Sequence, residues 1–206
     1  MESYEYYKNY LRKNLSKPRF IHSVNVGNMA EKLAGIYGVD IFKAKIAGLL
    51  HDICKEMDIK QQNQLITLLE PQVCKSFEGV FHKLLHGPAA AAFLKSEFSI
   101  CDEDILNAVC FHTTGHANMS MFEKIVFVAD HISDERTWSD IGELQKLAVS
   151  GGIDYVVLKK CMIAIQKSMK NYFEIHHYTI STYNDCIKAH SEVKKFNNSF
   201  SLINLV

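Results

Sequence analysis

Apolar residues recur along most of the chain with the spacing of a helix, and the strict alternation typical of strands is essentially missing. Residues that start or stop helices flank these stretches: Pro18 suits a first turn, Gly38 an end and Asp40 a cap. Ser120 and Glu123 have the spacing of a capping box. The pattern predicts an all-α fold with helices at 18–37, 41–53, 60–69, 89–98, 105–112, 124–132, 154–173 and 182–195.

The length and composition agree with one folded domain. The chain has 206 residues, of which 48 % are hydrophobic, so it can bury a sizeable core. We expect a single helical bundle over residues 1–195 and a C-terminal tail at 196–206. Basic and acidic residues balance at 23 each. A nucleic-acid polymer or a membrane surface is therefore not an expected partner, because both usually require a basic excess. A small anion needs only a few cations near one pocket.

The cysteines and the N-terminal sequence indicate a cytoplasmic protein. The six cysteines form no CxxC pair, which favours reduced structural thiols over the alternative of disulfides. The first residues lack the charged start, apolar run and small-residue cleavage site of a secretion signal. No apolar run approaches the length of about 18 residues that a transmembrane helix needs, so no membrane span is expected.

Two of the predicted helices are apolar on nearly every side and yet carry ionisable residues. The helix at 41–53 contains His51 and Asp52, and the helix at 124–132 contains Asp130. A helix that is apolar all round is normally central and buried. A buried carboxylate without a partner is very unfavourable, so each aspartate needs either hydrogen-bond partners or a cation. Two such cases in one small chain favour a cation.

Six residues on five predicted elements form a candidate metal-binding set. They are His22, His51, Asp52, His86, His112 and Asp130. Imidazole nitrogen and carboxylate oxygen together suit iron, manganese, zinc, cobalt or nickel. Adjacent helical residues differ by about 100°, so His51 and Asp52 can both reach an ion beyond the helix end. Taken singly, each histidine is more often a hydrogen-bonded core residue, so the prediction depends on the whole set and its context.

Five short motifs carry a resemblance to a known family. They are His22-Ser23-Val24, Ala47-Gly48-Leu49-Leu50-His51-Asp52, Leu85-His86-Gly87-Pro88, Phe111-His112-Thr113-Thr114-Gly115 and Val128-Ala129-Asp130-His131-Ile132-Ser133. The stretch from Gly48 to Lys55 resembles the signature of the HD superfamily of metal-dependent phosphohydrolases. Over roughly residues 18–180, the order and spacing are similar to those of the bacterial YqeK-type symmetrical dinucleoside tetraphosphatases.

The resemblance implies an HD-domain helical bundle with a metal site in its core, which splits diadenosine tetraphosphate into two molecules of ADP. It implies four iron ligands, His22, His51, Asp52 and Asp130. His86 and His112 would either face the phosphates or complete a second metal site. Metal-activated water would attack phosphorus, with Asp52, His86 and His112 as catalytic residues.

Further residues are expected to contact the substrate. Three cations lie near the motifs, Lys55, Arg19 and Arg136, although solvated surface charge explains them as well. The hydroxyl of Thr113 can bind phosphate, and an ordinary helix end is the alternative. The resemblance places nucleotide contacts around residues 173–178. The expected substrate contacts are Arg19, Lys55, His86, His112, Thr113, Asp130, Arg136, Phe173, His176 and Tyr178.

Three other functions are compatible with the same metal residues. An HD-type nucleotidase would act on other nucleotides, an HD-type di-iron oxygenase would use four histidine and two aspartate ligands, and a sensor would bind nucleotide without turnover. The expected partner is a small dinucleoside polyphosphate or nucleotide. The sequence leaves open the identity and number of metal ions, the preference for adenine or guanine, and whether the chain forms a homodimer.

Overall fold

Eleven α-helices and one turn of 3₁₀ helix form the regular structure of residues 2–190, the part of the chain that the computed structural model describes. No strand occurs in this part, so the expected all-α fold is confirmed. The helices are α1 (Tyr4–Asn14), α2 (Lys17–Tyr37), α3 (Ile41–Leu50), α4 (Ile59–Ile66), α5 (Pro71–Ser76), α6 (His86–Glu97), α7 (Glu103–Cys110), α8 (Met121–Ile132), α9 (Ile141–Val149), α10 (Ile153–Lys170) and α11 (His177–His190), with the 3₁₀ turn at His82–Leu84.

Capping residues set most of the helix starts that the sequence predicts. Asp40 caps α3, Ser120 forms a capping box with Glu123 at the start of α8, and Gly38 ends α2 with a φ of 71°. Three helices were not predicted. In α1 only Tyr7 and Leu11 are buried, α5 has no buried residue and α9 buries only Leu144 and Ala148, so each of these helices has at most two buried positions.

Near the C-terminus of the chain, the end of one helix and the start of the next differ from the prediction. Helix α10 ends at Lys170 rather than at 173, and α11 begins at His177 rather than near 182. The earlier start of α11 follows from backbone bonds in which Thr179 and Ile180 donate to the carbonyl oxygen of His176. The end that was predicted for this helix, at 195, and the tail at 196–206 lie outside the described residues.

Helices α2, α3, α7 and α8 pack against one another around the buried core. The crossing of α2 with α3 is close because both helices carry a glycine there. A Cβ atom at Gly48 would lie 2.9 Å from the carbonyl oxygen of Val26, a distance that backbone atoms cannot accommodate without a shift. This close approach brings His22 on α2 beside His51 at the end of α3, with 3.2 Å between their Nε2 atoms.

The helix predicted at 41–53 is shorter than expected, and its start is not buried. It ends at Leu50, and His51 and Asp52 lie in the turn that follows. The His51 Nδ1–H donates to the carbonyl oxygen of Gly48, the acceptor that a continuing helix would offer to the backbone of Asp52. Phe42, in the first turn, is 45 % exposed, so only the C-terminal part of α3 is central.

All six cysteines are free, and four of them are buried. Among the described residues, no helix combines the length and apolar character that crossing a bilayer requires.

A half-buried ion pair between His116 and Glu123 predicts a pH-dependent stability. Glu123 also accepts a hydrogen bond from the backbone of Ser120. Burial alone would lower the pKa of His116, but the bond to Glu123 and its charge raise it above about 6.5. Burial alone would raise the pKa of Glu123, but His116 and Ser120 lower it below about 4.3. The ion pair therefore stabilises the fold fully only at pH values between the ordinary pKa of glutamate, about 4.3, and that of histidine, about 6.5.

The replacement His116→Gln tests this expectation. The loss in free energy of unfolding should be about 1–2 kcal/mol near pH 5.5. It should shrink as the pH rises through the raised pKa of His116, because the wild-type imidazole then loses its charge. Urea denaturation of both proteins at acidic and alkaline pH measures the difference. The exposed His82→Gln is the matched control, and an equal loss for His116→Gln at both pH values would contradict the assignment.

Candidate metal centre

Five structural elements bring the six predicted residues into one buried cluster. His22 lies on α2, His51 and Asp52 directly after α3, His86 at the start of α6, His112 after α7 and Asp130 on α8. The four histidines and Asp52 are each at most 6 % exposed, and the side chain of Asp130 is 16 % exposed. His22 and Asp130, 108 positions apart in the sequence, therefore share one site. Because the site is buried, bulk water does not reach most of its polar atoms.

The carboxylate of Asp52 lies between two pairs of imidazoles. Its Oδ1 is 3.1 Å from Nε2 of His86 and 3.4 Å from Nε2 of His112. Its Oδ2 is 3.4 Å from Nε2 of His51 and 3.6 Å from Nε2 of His22. One carboxylate thus faces both halves of the cluster, as a bridging ligand between two neighbouring cation positions does.

Asp130 completes the half of the cluster that contains His22. Its Oδ1 lies 3.2 Å from Nε2 of His22 and 3.8 Å from Nε2 of His51. One ligand atom from each of these three residues falls within 4.8 Å of the others. A second such group consists of His51, Asp52 and His112. Both groups have the donor spacing of a metal site.

Hydrogen bonds on the outer side of the rings orient the imidazoles. Nδ1–H of His51 donates to the Gly48 carbonyl oxygen and Nδ1–H of His112 to that of Val109, both at 2.7 Å. Burial lowers the pKa of His51 and of His112, so both rings are neutral near pH 7. With the proton on Nδ1, each Nε2 directs its lone pair into the cluster, which is the tautomer that a metal ligand requires.

These protonation states test whether the residues fit a metal ion. Burial by itself would raise the pKa of Asp52, but that pKa lies well below its usual range, so the carboxylate is ionised. The ionised carboxylate then faces imidazole lone pairs, and its buried Oδ1 has no hydrogen-bond partner among the described residues. Lone pairs directed at a carboxylate oxygen repel unless a cation lies between them. The donor set therefore fits a divalent cation that accepts nitrogen and oxygen ligands.

Four cationic side chains surround the cluster. Arg19 donates to Oδ2 of Asp52, and Lys55 Nζ lies 2.9 Å from Nε2 of His86. Arg136 donates to the carbonyl oxygen and to Oδ1 of Asp130, at 2.9 and 2.8 Å. The structure thus places all three cations of the sequence analysis beside the cluster.

The fourth cation, Lys160 on α10, was missed by the sequence analysis. Its ammonium donates to Oδ2 of Asp130 at 2.9 Å and to the carbonyl oxygens of His112 and Phe127. Burial alone would raise the pKa of Asp130, but Lys160 and His22 hold it well below its usual range. The only sequence signal was a lysine within a partly apolar helix, and that pattern is too common to predict a site.

Glu135 is the other residue that sequence reasoning missed. Its carboxylate accepts a hydrogen bond from Nδ1 of His22, and also from Asn25 and Ser133. A carboxylate behind a ligating imidazole fixes the ring and makes its other nitrogen a better donor to a metal. Burial alone would raise the pKa of Glu135, but His22 and Ser133 lower it to about 2.

The remaining predicted substrate contacts lie at or near an aromatic cluster on the His112 side. Thr113 follows His112, and its buried hydroxyl has no hydrogen-bond partner in the described part of the chain. Phe173 stacks on Phe81 with ring centroids 4.3 Å apart. His176 is buried and stacks on Phe77, and its Nε2–H donates to the Ser76 carbonyl oxygen at 2.9 Å.

Tyr178 connects this aromatic cluster to the histidines. Its ring centroid lies 5.3 Å from that of Phe111, the residue before His112. The ring of His176 is 5.2 Å from that of Tyr178. Of the three predicted aromatic contacts, Phe173 is 42 % exposed, Tyr178 is partly buried and His176 is buried, so Phe173 and Tyr178 present the accessible surface.

Comparisons with known proteins agree with this architecture. A model of the HD domain matches residues 19–134. A relative from Staphylococcus aureus, named symmetrical bis(5'-nucleosyl)-tetraphosphatase, is 34 % identical over 170 residues, which cover 80 % of this chain and 87 % of the relative. A relative of the same name from Halalkalibacterium halodurans is 32 % identical over 179 residues, 86 % of this chain and 93 % of the relative.

A solved structure has the same fold. It is described as a predicted HD superfamily hydrolase involved in NAD metabolism from Clostridium acetobutylicum, and its TM-score is 0.82 at 36 % sequence identity. The match covers 92 % of this chain and 99 % of that one. With matches of this identity and coverage, on top of a buried histidine and aspartate cluster, the chain belongs to the HD-domain family and, within it, to the family of the symmetrical bis(5'-nucleosyl)-tetraphosphatases.

Proposed function

We propose that this chain hydrolyses diadenosine tetraphosphate symmetrically into two molecules of ADP, using a divalent metal. The observation that carries the proposal is the Asp52 carboxylate, which lies between two imidazole pairs and beside Arg19 in a site ringed by cations. Metal ligands of this kind next to several cations suit a polyphosphate substrate. The names of the relatives supply the substrate class.

The metal is assigned to the half of the cluster that contains Asp130. His22, His51, Asp52 and Asp130 would hold it, and His86 and His112 together with Asp52 would hold a second ion. Iron is the metal that the family resemblance implies, and manganese, cobalt, nickel or zinc suit the same donors. When bound, such an ion lowers the pKa of a coordinated water and withdraws charge from a phosphoryl oxygen.

The surrounding residues bind and orient the polyphosphate. Arg19 and Arg136 line a cavity of about 210 Å³ together with His22, Glu56 and Glu135. Arg19 is bound to Asp52 and Arg136 to Asp130, and their other N–H groups can donate to phosphate oxygens at this entrance. Lys55 provides a positive charge beside His86. Thr113 adds a hydroxyl next to His112. These groups hold the central phosphates against the cluster and offset their negative charge.

Bond cleavage must divide the molecule in the middle. The oxygen of water attacks one of the two central phosphorus atoms. The bond from that phosphorus to the oxygen that bridges the two central phosphorus atoms breaks in line with the attack. The leaving ADP carries the shared oxygen away as an anion. His86 in its protonated form can donate a proton to it, His112 presents a lone pair there and can only accept one, and Asp52 can accept a hydrogen bond from the attacking water. Phe173, His176 and Tyr178 form the side on which one nucleoside is held.

The test is product analysis with and without chelator on purified protein of known metal content. Diadenosine tetraphosphate should yield ADP alone, EDTA should abolish turnover, and iron added without oxygen should restore it. Equal amounts of ATP and AMP, or inertness toward the dinucleotide, would refute the proposal. Faster turnover of a mono- or triphosphate in a nucleotide panel would identify a nucleotidase, and oxygen uptake with a polyol or phosphonate would identify an oxygenase.

A further inference from the structure

The only tryptophan of the chain, Trp138, lies in the segment between α8 and α9 and is not used by the chemistry described above. Its Nε1–H donates to the carbonyl oxygen of His131 at 3.2 Å, and its ring stacks on the His131 ring at an interplanar angle of 27°. The residue is nevertheless 47 % exposed. The indole is therefore held in a fixed orientation while about half of its surface remains open to solvent.

Arg136 connects this indole to the metal centre. Its guanidinium carbon lies 5.7 Å from the centroid of the Trp138 ring, and the same guanidinium donates to Oδ1 and to the carbonyl oxygen of Asp130. A single guanidinium thus separates the open indole from a candidate metal ligand. A phosphate bound by Arg136 would have the indole beside it, at the point where a nucleoside attached to that phosphate must go.

An unpartnered polar atom lies next to the same ring. Nε2 of His131 is buried and has no hydrogen-bond partner among the described residues, although the His131 ring packs directly against Trp138. A buried ring nitrogen without a partner is unfavourable unless a ligand or water satisfies it. The residue itself is only 8 % exposed. The ring nitrogen therefore lies unsatisfied beneath an aromatic surface that is about half open to solvent, and a flat exposed ring of this kind is what a nucleobase stacks on.

The position of Trp138 complements that of the other aromatic surface. The rings of Tyr178 and Phe111 adjoin His112, on the Oδ1 side of Asp52. Trp138 adjoins Asp130 through Arg136, and Asp130 belongs to the half of the cluster that contains His22. A substrate that is cut at its centre extends equally in both directions from the metal, so its two nucleosides need separate surfaces on opposite sides.

We propose that Trp138, Arg136 and His131 form a second nucleoside subsite in which a purine base stacks on the indole. This rests on the proposed function for the identity of the substrate. Arg136 binds the adjoining phosphate, and the carbonyl oxygen and ring of His131 hold the indole in position for the base. Because every base has a flat face, the stacking itself accepts adenine and guanine alike, with purines preferred over pyrimidines for their larger overlap.

Tryptophan fluorescence tests the subsite directly, since all of the signal comes from this one residue. ADP added to the metal-loaded protein should quench the emission saturably, and inorganic tripolyphosphate, which has phosphates but no base, should not. Calorimetry on the same samples should show a second ADP molecule per chain that Trp138→Ala no longer binds. Unchanged emission at ADP concentrations that saturate the calorimetric binding would overturn the subsite, and so would equal quenching by tripolyphosphate.

Steady-state kinetics provide the second measurement. Trp138→Ala should raise KM for diadenosine tetraphosphate about tenfold with a smaller change in kcat, whereas Trp138→Phe should stay within about threefold of the wild type. Phe42→Ala removes a similarly exposed ring in the first turn of α3, and it should change neither KM nor kcat. An unchanged KM in Trp138→Ala would also overturn the subsite. If Trp138→Ala does not fold, Trp138→Phe and the fluorescence of the wild type decide.

The outcomes separate this inference from the proposed function. Quenching by ADP in a chain that is inert toward the dinucleotide would refute the proposed reaction and leave the subsite standing. Symmetrical hydrolysis without any response of Trp138 would refute the subsite and leave the reaction standing. Failure of ADP to bind at all would contradict both.

Discussion

Replacing Asp52 by asparagine is expected to lower kcat/KM for diadenosine tetraphosphate by at least about a thousandfold, or roughly 4 kcal/mol of transition-state stabilisation. The carboxylate faces His86 and His112 with one oxygen and His51 and His22 with the other. The amide has the same shape but no charge, and its NH₂ group cannot ligate a metal. Both halves of the cluster lose their common ligand, so metal content per chain should fall together with activity.

Asp134→Asn is the matched control for this experiment. Asp134 is exposed, lies four residues after Asp130 and, among the described residues, makes only a long contact to Gln145. It should keep its metal and its activity. Thermal unfolding of both variants shows whether Asp52→Asn is folded, which the similar size of the two side chains favours. Full metal content and a rate within about tenfold of the wild type in Asp52→Asn would contradict the central role of Asp52.

Replacing Lys160 by methionine is expected to lower the free energy of unfolding of the metal-free protein by about 3 kcal/mol. Its ammonium neutralises Asp130 and donates to the carbonyl oxygens of His112 and Phe127. Methionine fills a similar volume but leaves the largely buried carboxylate without this cation. The loss lies at the low end for a broken buried ion pair because Arg136 still binds Asp130.

The neighbouring Lys159→Met supplies the control for Lys160. Lys159 is more exposed and, within the described part of the chain, forms only a surface ion pair with Asp140 at 3.5 Å, so its loss should change stability by less than about 1 kcal/mol. Chemical denaturation of chelated and metal-loaded protein measures both variants. The difference in free energy of unfolding between the wild type and Lys160→Met should be smaller when metal is present, since the ion then neutralises part of the Asp130 charge. Equal stability of the two variants without metal would refute the assigned role of Lys160.

The elements of the fold were predictable where local signals are strong. Asp40, Gly38 and the pair Ser120 and Glu123 act on the backbone within a few residues of themselves, so a single sequence reveals them. Helix α1 escaped prediction because its buried residues are only Tyr7 and Leu11. The stop of α3 at Leu50 also escaped, since it coincides with a side-chain bond from His51 to Gly48 that the apolar pattern does not record.

The sequence by itself determined the helical class, the central position of α8 and of the end of α3, and the six histidines and aspartates of the cluster. Helical period, capping chemistry and the mismatch of a carboxylate with an apolar helix are properties of neighbouring residues. Only the tertiary structure decided that Asp52 lies between two imidazole pairs, that Lys160 holds Asp130 from 30 residues away and that Glu135 orients His22. Such contacts depend on how helices cross, and the crossing of α2 with α3 follows from packing around Gly48 rather than from any local pattern.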